Sequence, residues 1–181
     1  FVSGPGKWRK YEKRKPITID EGYRLKELAV LPKYVGLEDW SGGKTVKYGS
    51  EQTNPNFQMG GVTTEFLPAN NHTLSEGRFF TEEEVKSTRN IAVVGMEVVD
   101  KLFPFTSPLD KEIEIDGNRF TIIGVLTAKG ENLGQSQDNL VLVPLYTIDK
   151  IYGARKDRSL NITVSAYSKA QLDETQEEVI G

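Results

Sequence analysis

Few residues in this 181-residue chain are of types that do chemistry. There is one histidine, His72, and no cysteine, which removes thiol nucleophiles, thiolate metal sites and disulfides from consideration. His72 stands in the polar run Asn70-Asn71-His72-Thr73 and reads as a surface loop histidine rather than a base or ligand. Glu82-Glu83-Glu84 could draw a cation, but acids in a first helical turn already suit the helix dipole, and capping is the better account. Asp138-Asn139 could coordinate calcium. It lacks the alternating acidic spacing of a calcium loop and reads as turn and strand capping. Gly43-Lys44-Thr45 imitates the end of a phosphate-binding loop, yet the required first glycine falls on Glu38 and no buried strand leads in. Gly4-Pro5-Gly6-Lys7 fails likewise. These residues support neither nucleotide binding nor an acid–base or nucleophilic centre, and no cofactor is expected.

The elements that would position these groups follow from periodicity. Ile91–Val94 and Leu140–Val143 are uninterrupted apolar runs, the pattern of strands buried on both faces. After Gly95, the spacing of Met96, Val99, Leu102 and Phe103 predicts a helix. Ile113 and Ile115 alternate with acids, Asp116-Gly117-Asn118 is turn chemistry, and Phe120 and Ile122 resume the alternation, so a hairpin is expected. Pro144 opens and Gly153 closes a helix. Upstream, Thr18 with Glu21 starts a helix faced by Leu25, Leu28 and Ala29. Leu28–Val35 runs into a strand that Pro32 places at an edge or bulge. Gly36–Gly43 reads as loop, with Trp40 exposed or folded back. Thr45–Tyr48 and Phe57–Val62 read as strands, and Thr63–Phe66 as a short helix ending before Pro68. Residues 69–77 read as a polar connector, and Thr81 with Glu84 as a second capping box. A charged loop, Ala154–Ser159, precedes a strand over 160–166 and a last helix capped by Ser168 with Gln171.

Charge is divided unevenly. The first fifteen residues hold six basic side chains against one acidic, while the remainder holds 17 basic and 25 acidic. Residues 1–16 read as a basic arm, either solvated or beside anionic lipid headgroups, with Lys7, Trp8, Arg9 and Lys10 as its membrane-proximal group. Trp8, Tyr11 and Trp40 suit a membrane interface, a core or a partner contact. The acidic body argues against nucleic acid. No run of eighteen apolar residues occurs. The abrupt beginning at Phe1 and the end at Gly181, just after a helical pattern, suggest a piece of something longer.

Lys129–Asn139 is an almost wholly polar loop between two buried strands, a length usually functional or disordered. Leu133 is its one large apolar residue. It is a candidate partner anchor, with Glu131, Asn132 and Gln135 around it; the alternative is that it folds back onto the domain.

Gly77-Arg78-Phe79-Phe80-Thr81, Ala92-Val93-Val94-Gly95, Leu102-Phe103, Gly117 with Phe120, Ile123-Gly124-Val125, Lys129-Gly130, Asp138 and Val143-Pro144-Leu145 follow in one order. That ordered set resembles the extracytoplasmic core domain of MacB-type, FtsX-like ABC transporter permeases. One departure is Leu109-Asp110-Lys111, where such proteins tend to have a glycine before the lysine.

The resemblance implies an α+β fold of two lobes. Residues 17–74 with 155–181 would form a mixed α/β lobe, and 75–154 an inserted β-rich lobe, after the juxtamembrane arm 1–16. It implies a non-catalytic domain on the periplasmic side of a bacterial inner membrane, flanked by transmembrane helices. Through these it would be coupled to an ABC ATPase domain or subunit, in a transporter that is a dimer. The motion would be passed to a periplasmic adaptor, or to a lipoprotein, drug or peptide cargo. A free-standing extracellular binding module is the alternative.

Overall fold

A computed structural model of the chain describes residues 9–11, 18–28, 34–132, 134–153 and 161–165. For 9–11, 25, 26, 28, 34, 131, 132 and 161–165 it describes the backbone alone. The strands are β1 (Arg9–Tyr11), β2 (Tyr34–Lys44), β3 (Lys47–Tyr48), β4 (Glu51–Gln52), β5 (Phe57–Val62), β6 (Leu74–Gly77), β7 (Ile91–Val94), β8 (Glu112–Ile115), β9 (Asn118–Leu126), β10 (Glu131–Asn132), β11 (Gln135–Ser136), β12 (Leu140–Pro144) and β13 (Asn161–Ser165). The helices are α1 (Ile19–Leu28), α2 (Phe66–Ala69), α3 (Glu82–Lys86), α4 (Met96–Leu102) and α5 (Leu145–Tyr152). The fold is α+β, organised on one mixed sheet.

Among the described residues, eleven strands form that sheet, in the order β1-β13-β2-β5-β12-β7-β9-β8-β3-β4, with β6 also paired to β9. Pairs β5/β12 and β7/β9 are parallel and the rest antiparallel. The pair β5/β12 joins strands from the two predicted segments, 17–74 and 75–154, as does β3/β8.

The central strands are buried on both faces, as their apolar runs require. Val93 and Leu142 enter one core with Leu37, Phe66, Phe80, Val85 and Leu145, under α2, α3 and the start of α5. Val94 and Val143 enter the other, with Val98, Leu102, Ile113, Phe120 and Ile148. Alternation along each strand thus feeds two opposite cores. Two glycines in β5 let its neighbours approach. A Cβ on Gly60 would meet the Trp40 ring at 2.8 Å, and one on Gly61 would meet Ile148 at 2.2 Å.

Several expectations need correction. Gly36–Gly43 is strand, not loop: β2 is held between β13 and β5, and ladder bonds on both sides outweigh its glycines. Pro32, and with it the expected edge or bulge, lies outside the described residues. Trp40 is half-buried, packed 6.1 Å from the Phe66 ring with its Nε1 donating to Glu38. The short helix is Phe66–Ala69 and contains Pro68, which is tolerated because it occupies the first turn. Residues 74–77 are not connector but β6, whose polar sequence suits an exposed edge. On α4 the fully buried face is Val98 and Leu102, with Met96 and Val99 only partly covered. The basic arm contains strand β1, where no strand is expected from its charge. Leu25 and Leu28 as side chains, Ala29, the loop 154–159 and the final helix lie outside what is described.

At the departure from the family pattern, Asp110 has φ 66°, a left-handed conformation that glycine favours and aspartate tolerates. The turn keeps its backbone without its glycine. The β8–β9 hairpin turns through Asp116 (φ 51°) and Gly117 (φ 80°), both left-handed, as a two-residue turn between twisted strands needs.

Candidate functional site

The polar stretch after β9 is a short hairpin, β10 paired with β11, turning at Gly134 with φ 79°. Its base is fixed by one carboxylate. Asp138 accepts from the backbone N–H of Lys129 (2.7 Å) and of Gly130 (2.9 Å), clamping one leg to the other. The Gln137 N–H donates to the Gly130 carbonyl. Ser136 Oγ donates to Glu97 on α4 at 2.5 Å, and the Glu97 N–H donates to the Asp138 carbonyl at 3.2 Å. Asn139 is tied to the β4–β5 connection through its Nδ2 on the Asn56 carbonyl. Capping is therefore what Asp138 does.

Gly95 belongs to the same clamp. A Cβ there would come within 2.3 Å of the Asp138 carbonyl oxygen, so the strand β7 can meet the hairpin base only at a glycine. Gln135 is exposed. Glu131 and Asn132 form β10, and Leu133, between them and Gly134, lies outside the described residues. Of the membrane-proximal group, Arg9 and Lys10 lie in β1, paired with Val164 and Thr163; Lys7 and Trp8 lie outside the described residues. The strand order sets β13, β2 and β5 between β1 and β12, so the two predicted groups are not brought together.

A second polar centre was only half legible. Glu84 accepts two hydrogen bonds from Arg78, both 2.8 Å, a further one from the Thr81 N–H at 3.0 Å, and lies 3.3 Å from Arg89. The Arg78 guanidinium holds the Glu84 carboxyl well below its usual range, at about 2. The capping box gives away Glu84, whereas nothing in the spacing signals Arg78 as its partner. A third centre joins Lys44, Asp116 and Tyr152. Lys44 Nζ is 2.5 Å from Asp116 Oδ2, Tyr152 OH donates to the same oxygen at 2.7 Å, and the ammonium lies 4.5 Å from the Tyr152 ring centroid. The lysine that imitates a phosphate-binding residue is thus a bridge between β2, the β8–β9 turn and α5.

His72 is not the exposed loop histidine expected. Its ring is half-buried and stacked on Phe66, with centroids 5.2 Å apart and an 18° interplanar angle. Apolar contact to α2 wins over hydration of the loop. Among the described residues, no three His, Cys, Asp or Glu side chains gather as metal ligands would. No helix among them is long and apolar enough to cross a membrane.

Known proteins are similar to this chain in sequence and in fold. The chain is 35% identical over 118 residues to a macrolide export ATP-binding/permease protein MacB of Syntrophobacter fumaroxidans, covering 65% of this chain and 16% of that protein. To a MacB of Marinobacter nauticus it is 31% identical over 151 residues, 82% of this chain and 22% of that one. To the pyoverdine export ATP-binding/permease protein PvdT of Pseudomonas aeruginosa it is 30% identical, covering 78% and 22%. The chain thus spans about a fifth of the length of these relatives.

Among solved structures, the extracellular domain of the noncanonic ABC-type transporter YknZ from Gram-positive bacteria superposes with a TM-score of 0.73 at 22% identity, covering 94% of this chain and 90% of that one. The periplasmic region of MacB from Actinobacillus actinomycetemcomitans gives 0.72 at 20% identity, covering 90% and 72%. Both likenesses concern the fold. The profile of the MacB-like periplasmic core domain matches residues 3–181, and the chain belongs to that family.

Proposed function

We propose that this domain is a non-catalytic coupling element of an ABC transporter permease, held outside the cytoplasmic membrane of a bacterium. It carries motion from ATP hydrolysis on the other side to a partner or cargo. The relatives' names, macrolide export and pyoverdine export, support a role in efflux. The observation that carries the reading is the sheet. Eleven strands with cores on both faces make a stiff body, which transmits displacement rather than absorbing it. In this reading, 17–74 with 155–181 and 75–154 are two halves of one moving body. Residues 1–16 connect it to the membrane, with Lys7, Trp8, Arg9 and Lys10 nearest the headgroups.

The β10–β11 hairpin is the proposed partner element. Its support is the contrast between a base clamped by Asp138 and an exposed Gln135 near its turn. Glu131, Asn132, Leu133 and Gln135 would meet a periplasmic adaptor, a lipoprotein or a peptide.

The test uses the full-length transporter in proteoliposomes, spin-labelled at Gln135 and Phe105. Distances between the two labels within one domain should not change between nucleotide-free and ATP-bound states. Distances between the Gln135 labels of the two protomers of the dimer should. A large change within the domain, or none between protomers, would overturn the reading.

A further inference from the structure

We propose that His72 is an acid-operated latch: its neutral ring holds Asn70–Thr73 against the base of the β10–β11 hairpin, and its protonation releases that segment. The geometry penalises a second proton on the ring. Nδ1 is buried with no hydrogen-bond partner, and the ring face is taken by Phe66. An imidazolium there would carry a buried donor without an acceptor, which is costly.

The charged groups around it act in opposite directions. Lys129, on the connection from β9 to β10, stands close enough to oppose a second positive charge; Asp138 favours it but is occupied by the Lys129 and Gly130 amides. From β2, Glu38 already accepts from Asn70 Nδ2 and Trp40 Nε1. On β6, Glu76 is exposed. Burial, and then Lys129, accordingly push His72 down from 6.5 to about 4. The released segment binds a proton in that window and the latched one does not, so the latched form weakens as pH falls from 6.5 towards 4.

What the latch holds is specific. On one side of His72, the Asn70 carbonyl accepts from Lys129 Nζ at 2.6 Å. On the other, the Thr73 carbonyl accepts from the Thr127 N–H at 2.8 Å, and the two threonine hydroxyls are 3.0 Å apart. Both contacts grip the strand end from which the hairpin springs. Loss of the ring contact with Phe66 therefore frees the hairpin base without opening the cores.

Proton and amide NMR on the 181-residue chain tests this. The His72 ring should titrate near pH 4. Between pH 6.5 and 4, protection of the Thr127 amide, corrected for intrinsic exchange, should fall by about two orders of magnitude relative to Val93 and Leu142. His72→Phe should keep Thr127 protected at pH 4, and Lys129→Met should raise the His72 midpoint. A wild-type midpoint near 6.5 would overturn the proposal, as would unchanged Thr127 protection through the titration or an equal loss in His72→Phe.

Discussion

Arg78 and Glu84 face each other through two parallel 2.8 Å hydrogen bonds, one guanidinium nitrogen to each carboxylate oxygen. The glutamate is buried and the arginine covers it. This pair fixes the corner where β6 passes into α3. Removing the arginine leaves a buried carboxylate short of partners, so Arg78→Ala should cost about 1–3 kcal/mol at pH 7. Because Glu84 is held at about 2, below its ordinary 4.5, the pair's stabilisation is fully present above 4.5 and fades as pH falls towards 2. Thermal melts of wild type and variant at pH 7, 4 and 3 should converge as acid is added. A constant gap would show that the lost stability is packing alone.

Asp110→Gly should stabilise the fold. The position has φ 66°, where a side chain is strained and glycine is not. The gain should be about 0.5–1 kcal/mol, read as a higher melting temperature. A lower one would mean that the aspartate side chain contributes more than its backbone strain costs.

Gly95→Ala should be severe. The added Cβ would press on the Asp138 carbonyl at 2.3 Å, and the atoms it meets are all backbone. A loss of about 2–4 kcal/mol is expected, with the amides of Lys129 and Gly130 among the first to lose protection.

Phe105 is 96% exposed, on a loop between the buried Phe103 and Pro108. Phe105→Ser should change stability by less than about 0.5 kcal/mol, whereas Phe120→Ala, in the core, should cost about 3–5 kcal/mol. Chemical denaturation of the two variants distinguishes them directly.

ATP should not bind. Gly43-Lys44 ends strand β2, and the Lys44 ammonium is committed to Asp116 and the Tyr152 ring. Calorimetric titration should show no stoichiometric binding, and Lys44→Met should alter melting rather than any nucleotide response.

What could be read from the sequence was what one strand or helix decides alone. Ile91–Val94, the Asp116-Gly117 turn, the Thr81–Glu84 box and the Pro144–Gly153 helix each carry their own signal. Strand β2 does not, because three glycines mask a run whose partners lie far along the chain in β13 and β5. Neither β6 nor the β10–β11 hairpin has apolar alternation, since their strength lies in backbone bonds to β9 and to each other. Of the candidate site, Asp138 was visible as a cap. The burial of His72 was not, because Phe66 reaches it only through the turn of α2.

Among the described residues, strand β1 pairs with β13, which lies between it and β2. As the chain leaves the ribosome, Arg9–Tyr11 must therefore wait until about 150 further residues have emerged before it can pair. Until then the long strand β2 offers an open edge, a template for pairing with the wrong chain. A chain interrupted before Asn161 would keep every described residue of its two cores and still present that edge, so premature termination should yield a sticky product.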